Sequence, residues 1–361
     1  MASTTRSDQP YELPAVGRPP ARLPLPKVAV EEHFNHIPPG TGGGASADFA
    51  GVLESMDYDM SWSGLIAERI GEFDTLRLAA MDAAGIEMAV LSHTVPGVQG
   101  IADRAAAVSA AREANDFLAE RAVRRHPDRF AGFASVPLQD PEAAARELER
   151  AVTKLGFKGA LVNGFTGPGG PETASYLDEP QCLPFWEAAA ALRVPIYLHP
   201  RPPVEQRAYA GHAELLGATW GFAPETATHA LRLVYSGLFD RLPGLTVILG
   251  HLGETLPFFA WRIQHCFEYN PSDKRPKRRL QDYLAENFYV STSGNCNDQA
   301  LITAILTIGA DRILFAVDYP YETTEPAAAW IERAPISEND RRKIAHLNAR
   351  ALFGLPAPPK A

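Results

Sequence analysis

The sequence predicts a (β/α)8 TIM barrel, and three observations carry that expectation. Eight short apolar runs recur along the 361 residues. Most are continuous rather than alternating, as strands buried on both faces of a parallel sheet are. Amphipathic helical stretches separate them, and strands interleaved with helices read as βαβ units that a chain of this length closes into a barrel. No GxGxxG opens the first βα turn, which disfavours the alternative, a doubly wound open sheet. The expected organisation is a Pro-rich irregular arm over residues 1–26, one barrel domain over 27–355 and a short tail over 356–361.

In chain order, the arm is poor in apolar periodicity and reads either as disordered or as packed across a neighbouring subunit. It lacks the apolar core of a signal peptide, and no stretch approaches the roughly 20 apolar residues needed to span a membrane. The first strand is "KVAVEEHF", followed by a long loop from Asn35 to about Ser63 that is a lid or merely a connection. "EFDTLRLAAMDAAG" is a helix stopped by Gly85, and "IEMAVLSH" the second strand. The helix "RAAAVSAAREANDFLAERAVRRH" leads to the strand "FAGFASVP". "DPEAAARELERAVTKLG", with an Asp-Pro start and a Gly stop, leads to "KGALVNGF". The remaining strands are "VPIYLHP", "LTVILGH", "NFYVSTSG" and "DRILFAVD". Further helices are expected in "TLPFFAWRIQHCFEY", "DQALITAILTIG" and "ENDRRKIAHLNARALFG".

Composition narrows the function. The net charge of −9 and pI near 5.6 argue against a nucleic-acid or anionic-membrane partner. The cysteines Cys182, Cys266 and Cys296 form neither a disulfide framework nor a CxxC knuckle, so a soluble cytoplasmic protein is expected.

The strand ends carry the chemistry. Successive strand residues point to opposite faces, so Glu31 and His33 share one. In a barrel that face looks inward, at the C-terminal mouth where active sites form. Alone, Glu-x-His is equally a surface ion pair, and a single buried histidine is commonly a core residue. But "VPIYLHP" ends in His199, "LTVILGHLGE" carries His251, and "DRILFAVDYP" ends in Asp318. Several apolar runs ending in metal-competent side chains point to one divalent ion held by Glu31, His33, His199 and Asp318, with His251 close by. Such a donor set suits Mn²⁺, Zn²⁺ or Mg²⁺.

The motifs "KVAVEEHF", "HPDRFAGFASVPLQDP", "GALVNGF", "YLHPR", "LLGATWGFAPETATHALRL", "SGLFD", "ILGHLGE", "WRI", "TSGN" and "DRILFAVDYPYE" occur in that order. They resemble the amidohydrolase superfamily of the amidohydrolase-2 type, and within it the decarboxylase branch that includes γ-resorcylate (2,6-dihydroxybenzoate) decarboxylase. The resemblance runs from Lys27 to Leu355 and implies the same four metal ligands. It further implies that His251 and Glu254 form a polar pair beside the substrate, that Arg262 is a substrate-proximal cation, and that Asn163 replaces a bridging lysine carbamate, leaving a single metal. The chain departs from the resemblance at Tyr319 and Tyr321, where Trp and Phe are expected, and at His93, where an apolar residue is expected. These positions bear on ring specificity.

The implied activity is non-oxidative decarboxylation of an ortho-hydroxybenzoate-type acid, reversible in principle. Asp318 is the expected proton donor to carbon, with His251, oriented by Glu254, beside the developing oxyanion. Phe34 adjoins a ligand and is expected to shape the pocket, and Ser293 or Asn295 to meet a ring hydroxyl. The alternative is a metal-dependent amide or lactone hydrolase, which an HxH start and a bridging lysine would favour; a non-catalytic metal-binding scaffold is a third class. The expected partner is a small aromatic carboxylic acid, and the resemblance implies a homotetramer or homodimer. His36, His126 and His346 read as solvated; His212 and His229 flank "ELLGATWGFAPETAT", in which Trp220 and Phe222 read equally as pocket or core. "KRPKRR" reads as a solvated turn or a subunit contact.

Overall fold

The computed structural model describes residues 25–36, 63–167, 170, 172–269 and 276–357. Nearly all of the expected arm, residues 37–62 of the long loop and the end of the tail lie outside the described residues. Within them the strands follow the predicted runs: β1 (Lys27–Phe34), β2 (Ile86–His93), β3 (Phe130–Gly132), β4 (Ala160–Asn163), β5 (Ile196–His199), β6 (Val247–Leu249), β7 (Phe288–Ser291) and β8 (Ile313–Leu314). β1 to β3 pair in sequence order and so do β4 to β8, all in parallel. Parallel bridges join the two sheets at both seams, Ala134 to Ala160 and Glu32 to Tyr319. At the second seam the Val30 N–H donates to Phe315 O at 3.1 Å and the Asp318 N–H to Glu31 O at 2.9 Å. The strands thus form the expected barrel.

Helices pack outside it: α1 (Ser63–Ile70), α2 (Leu76–Ala84), α3 (Arg104–Leu118), α4 (Pro141–Arg150), α5 (Leu183–Leu192), α6 (Phe222–Tyr235), α7 (Leu256–Glu268), α8 (Leu280–Asn287), α9 (Asp298–Ile308), α10 (Thr324–Arg333) and α11 (Asn348–Phe353). The predicted Asp-Pro start of α4 is a working cap, since the Asp140 side chain accepts the Ala143 N–H at 3.1 Å. The sequence does not flag α5, because "LPFWEAAAAL" is apolar almost all round and shows no 3.6-residue period.

The barrel interior is packed, not hollow. Val28, Val30, Met88, Val90, Phe133, Leu161, Tyr197, Ile248, Leu314 and Ala316 fill it, with Phe353 of α11 joining them. A second apolar layer, with Ala29, Phe34, Leu91, Ile196 and Leu249, lies between strands and helices. Val28 and Val30 inside and Ala29 outside would, by strict alternation, turn Glu31 outward. A register shift prevents this: Ala29 pairs with Ala89 but Glu32 with Leu91, so β1 carries one extra residue there. This bulge flips the face, sending Glu31 and His33 inward and Glu32 outward. Glu32 then accepts the Val317 N–H at 2.9 Å, and burial pushes its carboxyl up to about 8.

Outside the site, His229 is a core residue whose Nε2 accepts the Leu177 N–H at 2.9 Å. His346 is buried rather than solvated, because its turn packs beneath the strands. Trp220 is exposed. The first two residues of the basic cluster lie outside the described residues; in the rest, Arg278 lies over the Tyr283 ring and pairs with Glu286, and Arg279 caps α8.

Candidate metal centre and active site

β1, β5 and the segment after β8 deliver Glu31, His33, His199 and Asp318 to one point in the mouth. Each offers a ligand atom, and the four atoms lie within 4.8 Å of one another. His33 Nε2 is 3.0 Å from Asp318 Oδ1, and His199 Nε2 is 3.4 Å from Glu31 Oε1. Glu31 and His33 are wholly buried, His199 nearly so, and Asp318 half-buried. Glu31 Oε1, His33 Nε2 and Asp318 Oδ1 lack any well-formed hydrogen bond. Buried polar atoms are rarely left this way, and their convergence in a mixed carboxylate and imidazole set fits one divalent cation.

The electrostatics agree. Burial pushes the Glu31 carboxyl up and the His199 imidazole well down. Burial also acts to raise Asp318, but the nearby His251 and His33 imidazoles outweigh it and hold that carboxyl below its usual range. A cation at the centre favours the ionised carboxylates and neutral imidazoles that ligation needs.

Beside the cluster the chain makes an unusual turn. His251, Leu252, Gly253, Glu254 and Thr255 all have positive φ, at 52, 59, 89, 52 and 69°. This single left-handed turn brings residues three apart onto one face, so His251 Nδ1 meets Glu254 Oε1 at 2.7 Å. The Asn295 side chain donates to His251 O at 3.1 Å. His251 Nε2 is 3.9 Å from Asp318 Oδ2. Burial opposes charge on His251, but Glu254 and Asp318 raise its pKa well above the ordinary histidine value.

Other candidates divide. The Asn163 amide donates to the carbonyls of His93 at 3.2 Å and Thr94 at 3.4 Å, leaving its oxygen buried and unpartnered. The Ser293 hydroxyl is likewise buried and unpartnered. Tyr321 places its ring 5.7 Å from that of His33 and its hydroxyl 2.6 Å from Thr94 Oγ1.

Four expected contacts are not brought to the cluster. Phe34 and His93 are paired neighbours on β1 and β2, one residue beyond the inward-facing His33 and Ser92, so both face the helix layer. There they stack at 5.3 Å. Tyr319 follows Asp318 and also turns outward, lying under the Arg77 guanidinium at 4.5 Å. Arg262 is exposed on α7, whose buried residues are Leu256, Pro257 and Ala260.

No sequence motif flags the groups beneath and behind the ligands. Tyr197, two residues before His199 on the inner face of β5, donates to Glu31 Oε2, and Ser291 lies 3.1 Å from the same oxygen. Ser92 Oγ is 3.4 Å from His33 Nδ1, and Arg77 Nη2 donates to His33 O at 2.5 Å. The alternation that located His33 and His199 would also have found Ser92 and Tyr197.

A family model described as amidohydrolase matches residues 32–355. The chain belongs to the amidohydrolase family. Among the chain's relatives is a γ-resorcylate decarboxylase of Rhizobium radiobacter, 52% identical over 333 residues, which are 91% of this chain and 98% of the relative. A crystal structure of 2,6-dihydroxybenzoate decarboxylase complexed with 2,6-dihydroxybenzoate superposes with TM-score 0.83 at 49% identity, covering 92% of this chain and all of that one. A dihydroxybenzoic acid decarboxylase from a Polaromonas species, with bound manganese and the inhibitor 2-nitroresorcinol, gives TM-score 0.84 at 49% identity over 91% of this chain and 97% of its own. In this chain the four-residue cluster is the one group able to hold a metal among the described residues. The end of β4 offers it the amide Asn163 rather than a lysine.

Proposed function

We propose that the protein is a metal-dependent carboxy-lyase that decarboxylates 2,6-dihydroxybenzoate, or a close ortho-hydroxybenzoate, to the phenol and CO2. The observation that carries this reading is the buried Glu31, His33, His199 and Asp318 cluster flanked by the His251–Glu254 pair. The similar decarboxylases, one of them bound to 2,6-dihydroxybenzoate and another to manganese, support both the substrate and the metal. When bound, a divalent cation there supplies a Lewis acid that lowers the phenol pKa and fixes an ortho-hydroxy carboxylate. Asp318 takes the proton that the substrate's ortho hydroxyl gives up on binding and returns it to the ring carbon bearing the carboxylate. That carbon becomes tetrahedral, and the bond to the carboxylate breaks with its electron pair restoring the aromatic ring. His251, held by Glu254, donates a hydrogen bond where charge builds on the phenolic oxygen. Asn163 Oδ1, buried without a hydrogen-bond partner, can accept from a ring hydroxyl, the similarly unpartnered Ser293 Oγ can accept or donate, and the Tyr321 ring lies 5.7 Å from that of His33.

The test is product analysis with manganese-loaded protein and 2,6-dihydroxybenzoate. Resorcinol and CO2 are expected from the parent, with a loss of about 10²-fold or more in Asp318→Asn. Metal content is measured alongside, because Asp318 is also a proposed ligand. Metal-loaded parent protein that forms no resorcinol would sink the substrate assignment, and turnover of amides or lactones instead would favour the hydrolase.

We further infer that residues 27–355 work as one barrel domain in the cytoplasm and self-associate as a homodimer or homotetramer. No helix among the described residues is long and apolar enough to cross a membrane. Phe258 and Trp261 on α7, Tyr269 just beyond it and Leu306 on α9 expose 76, 64, 76 and 82% of their surface, a face that association would cover.

A further inference from the structure

The floor of the site is made of two hydroxyl groups. The Tyr197 phenol donates to Glu31 Oε2, the Ser291 hydroxyl is 3.1 Å from that oxygen, and the two hydroxyl oxygens are 2.7 Å apart. Ser291 Oγ also accepts the Ser293 N–H at 3.4 Å, which leaves its single proton for the Tyr197–Glu31 side. All three side chains are wholly buried. The two carboxylate oxygens are therefore unlike: Oε2 is held from below, while Oε1 is buried with no hydrogen-bond partner and faces the other ligand atoms. Gly250 closes the remaining side, since a β-carbon there would lie 3.0 Å from Oε2, 3.3 Å from Oε1 and 3.4 Å from the Tyr197 hydroxyl.

We propose that Tyr197 and Ser291 are positioning residues that keep Glu31 a one-oxygen ligand, reserving two adjacent coordination positions for a chelating ortho-hydroxy carboxylate. This rests on the metal and substrate class of the proposed function. Manganese and magnesium favour six oxygen or nitrogen donors. One atom from each of four side chains leaves two positions, which is what a substrate binding through one carboxylate oxygen and one phenolic oxygen requires. Carboxylates ligate hard cations through one oxygen or two with little intrinsic preference. A Glu31 free to rotate would engage through both oxygens and take a position the substrate needs. Hydrogen bonds from neutral hydroxyls to Oε2 oppose that rotation without supplying a second charge that would compete for Oε1.

The test compares the parent with Tyr197→Phe, Ser291→Ala and the double variant, all loaded with saturating manganese and checked for metal content and for a cooperative melt. X-ray absorption at the manganese edge and electron paramagnetic resonance report the coordination, and titration with 2-nitroresorcinol reports chelate binding. The expected result is an altered manganese signal with one more close oxygen in the double variant, and chelator binding weakened about tenfold or more. Ser291→Ala, which removes one oxygen, is expected to show a smaller effect in the same direction and keeps the test open should Tyr197→Phe fold poorly. Unchanged signals and unchanged chelator affinity in folded, metal-loaded variants would overturn the proposal. None of these readouts needs turnover, so a parent that binds manganese and chelator normally separates this proposal from the decarboxylase reading. A parent that binds no manganese would overturn both.

Discussion

At the scale of single residues, the site depends on which atom of each side chain is left without a partner. Glu254 touches none of the four ligand atoms, yet it aims the His251 ring through a 2.7 Å hydrogen bond. Glu254→Gln is expected to lower kcat about 10- to 100-fold with manganese content unchanged, read by steady-state kinetics beside metal analysis. Loss of metal in that variant would instead place Glu254 among the ligand supports. The four ligand candidates were legible in the sequence because each ends an apolar run in a metal-competent group. Which neighbours share their face was legible only where alternation holds. Phe34 and His93 look like pocket residues beside His33, but one residue's difference along a strand sends a side chain to the other side of the sheet. Arg262 was placed by motif alone, and a motif does not say which side of a helix faces the mouth.

At the scale of elements, two local departures from regular structure build the centre. The bulge in β1 turns Glu31 inward, and the left-handed turn after β6 pairs His251 with Glu254. Neither can be read from sequence, because a bulge adds one residue without a composition signal, and four of the five left-handed residues are not glycine. The eight strands were visible because runs of buried apolar residues carry their own signal, whereas α5 was hidden by being apolar all round. Gly250 ties the strand to the site. Gly250→Ala is expected to push the Glu31 carboxylate out of place and weaken manganese binding about tenfold or more, measured by metal titration of chelator-treated protein. An unaltered affinity would show that the carboxylate has room to adjust. Leu252 holds a left-handed φ of 59° although it is not a glycine. Leu252→Gly is expected to lose packing of a buried leucine while relieving roughly 1 kcal/mol of backbone strain. Its net melting shift is therefore expected to be smaller than that of a strand leucine such as Leu249→Gly.

At the scale of the whole molecule, acid is expected to unfold the protein through its buried neutral histidines. Burial holds His229 down at about 3 against an ordinary 6.5, and His93, buried and near His36 and His33, also at about 3. Between those limits the unfolded chain takes up protons that the fold refuses. Their contribution is therefore fully present above pH 6.5 and is lost as pH falls towards 3, by up to about 1.4 kcal/mol per pH unit for each group. Denaturant unfolding of metal-free protein across this range checks it. His229→Gln is expected to flatten the slope by about one proton, and an unaltered slope would assign the acid sensitivity elsewhere. The seam between β1 and β8 has a consequence for biosynthesis. Glu31 and His33 emerge from the ribosome at the start of the barrel and Asp318 near its end, and the Asp318 N–H bonds back to Glu31 O. A nascent chain carries half of its metal donors for almost the whole of its synthesis without the group that completes them. Only when the last strand docks against the first does a full site exist, so cation capture is timed to the closing of the fold and no partly made chain can carry out the reaction.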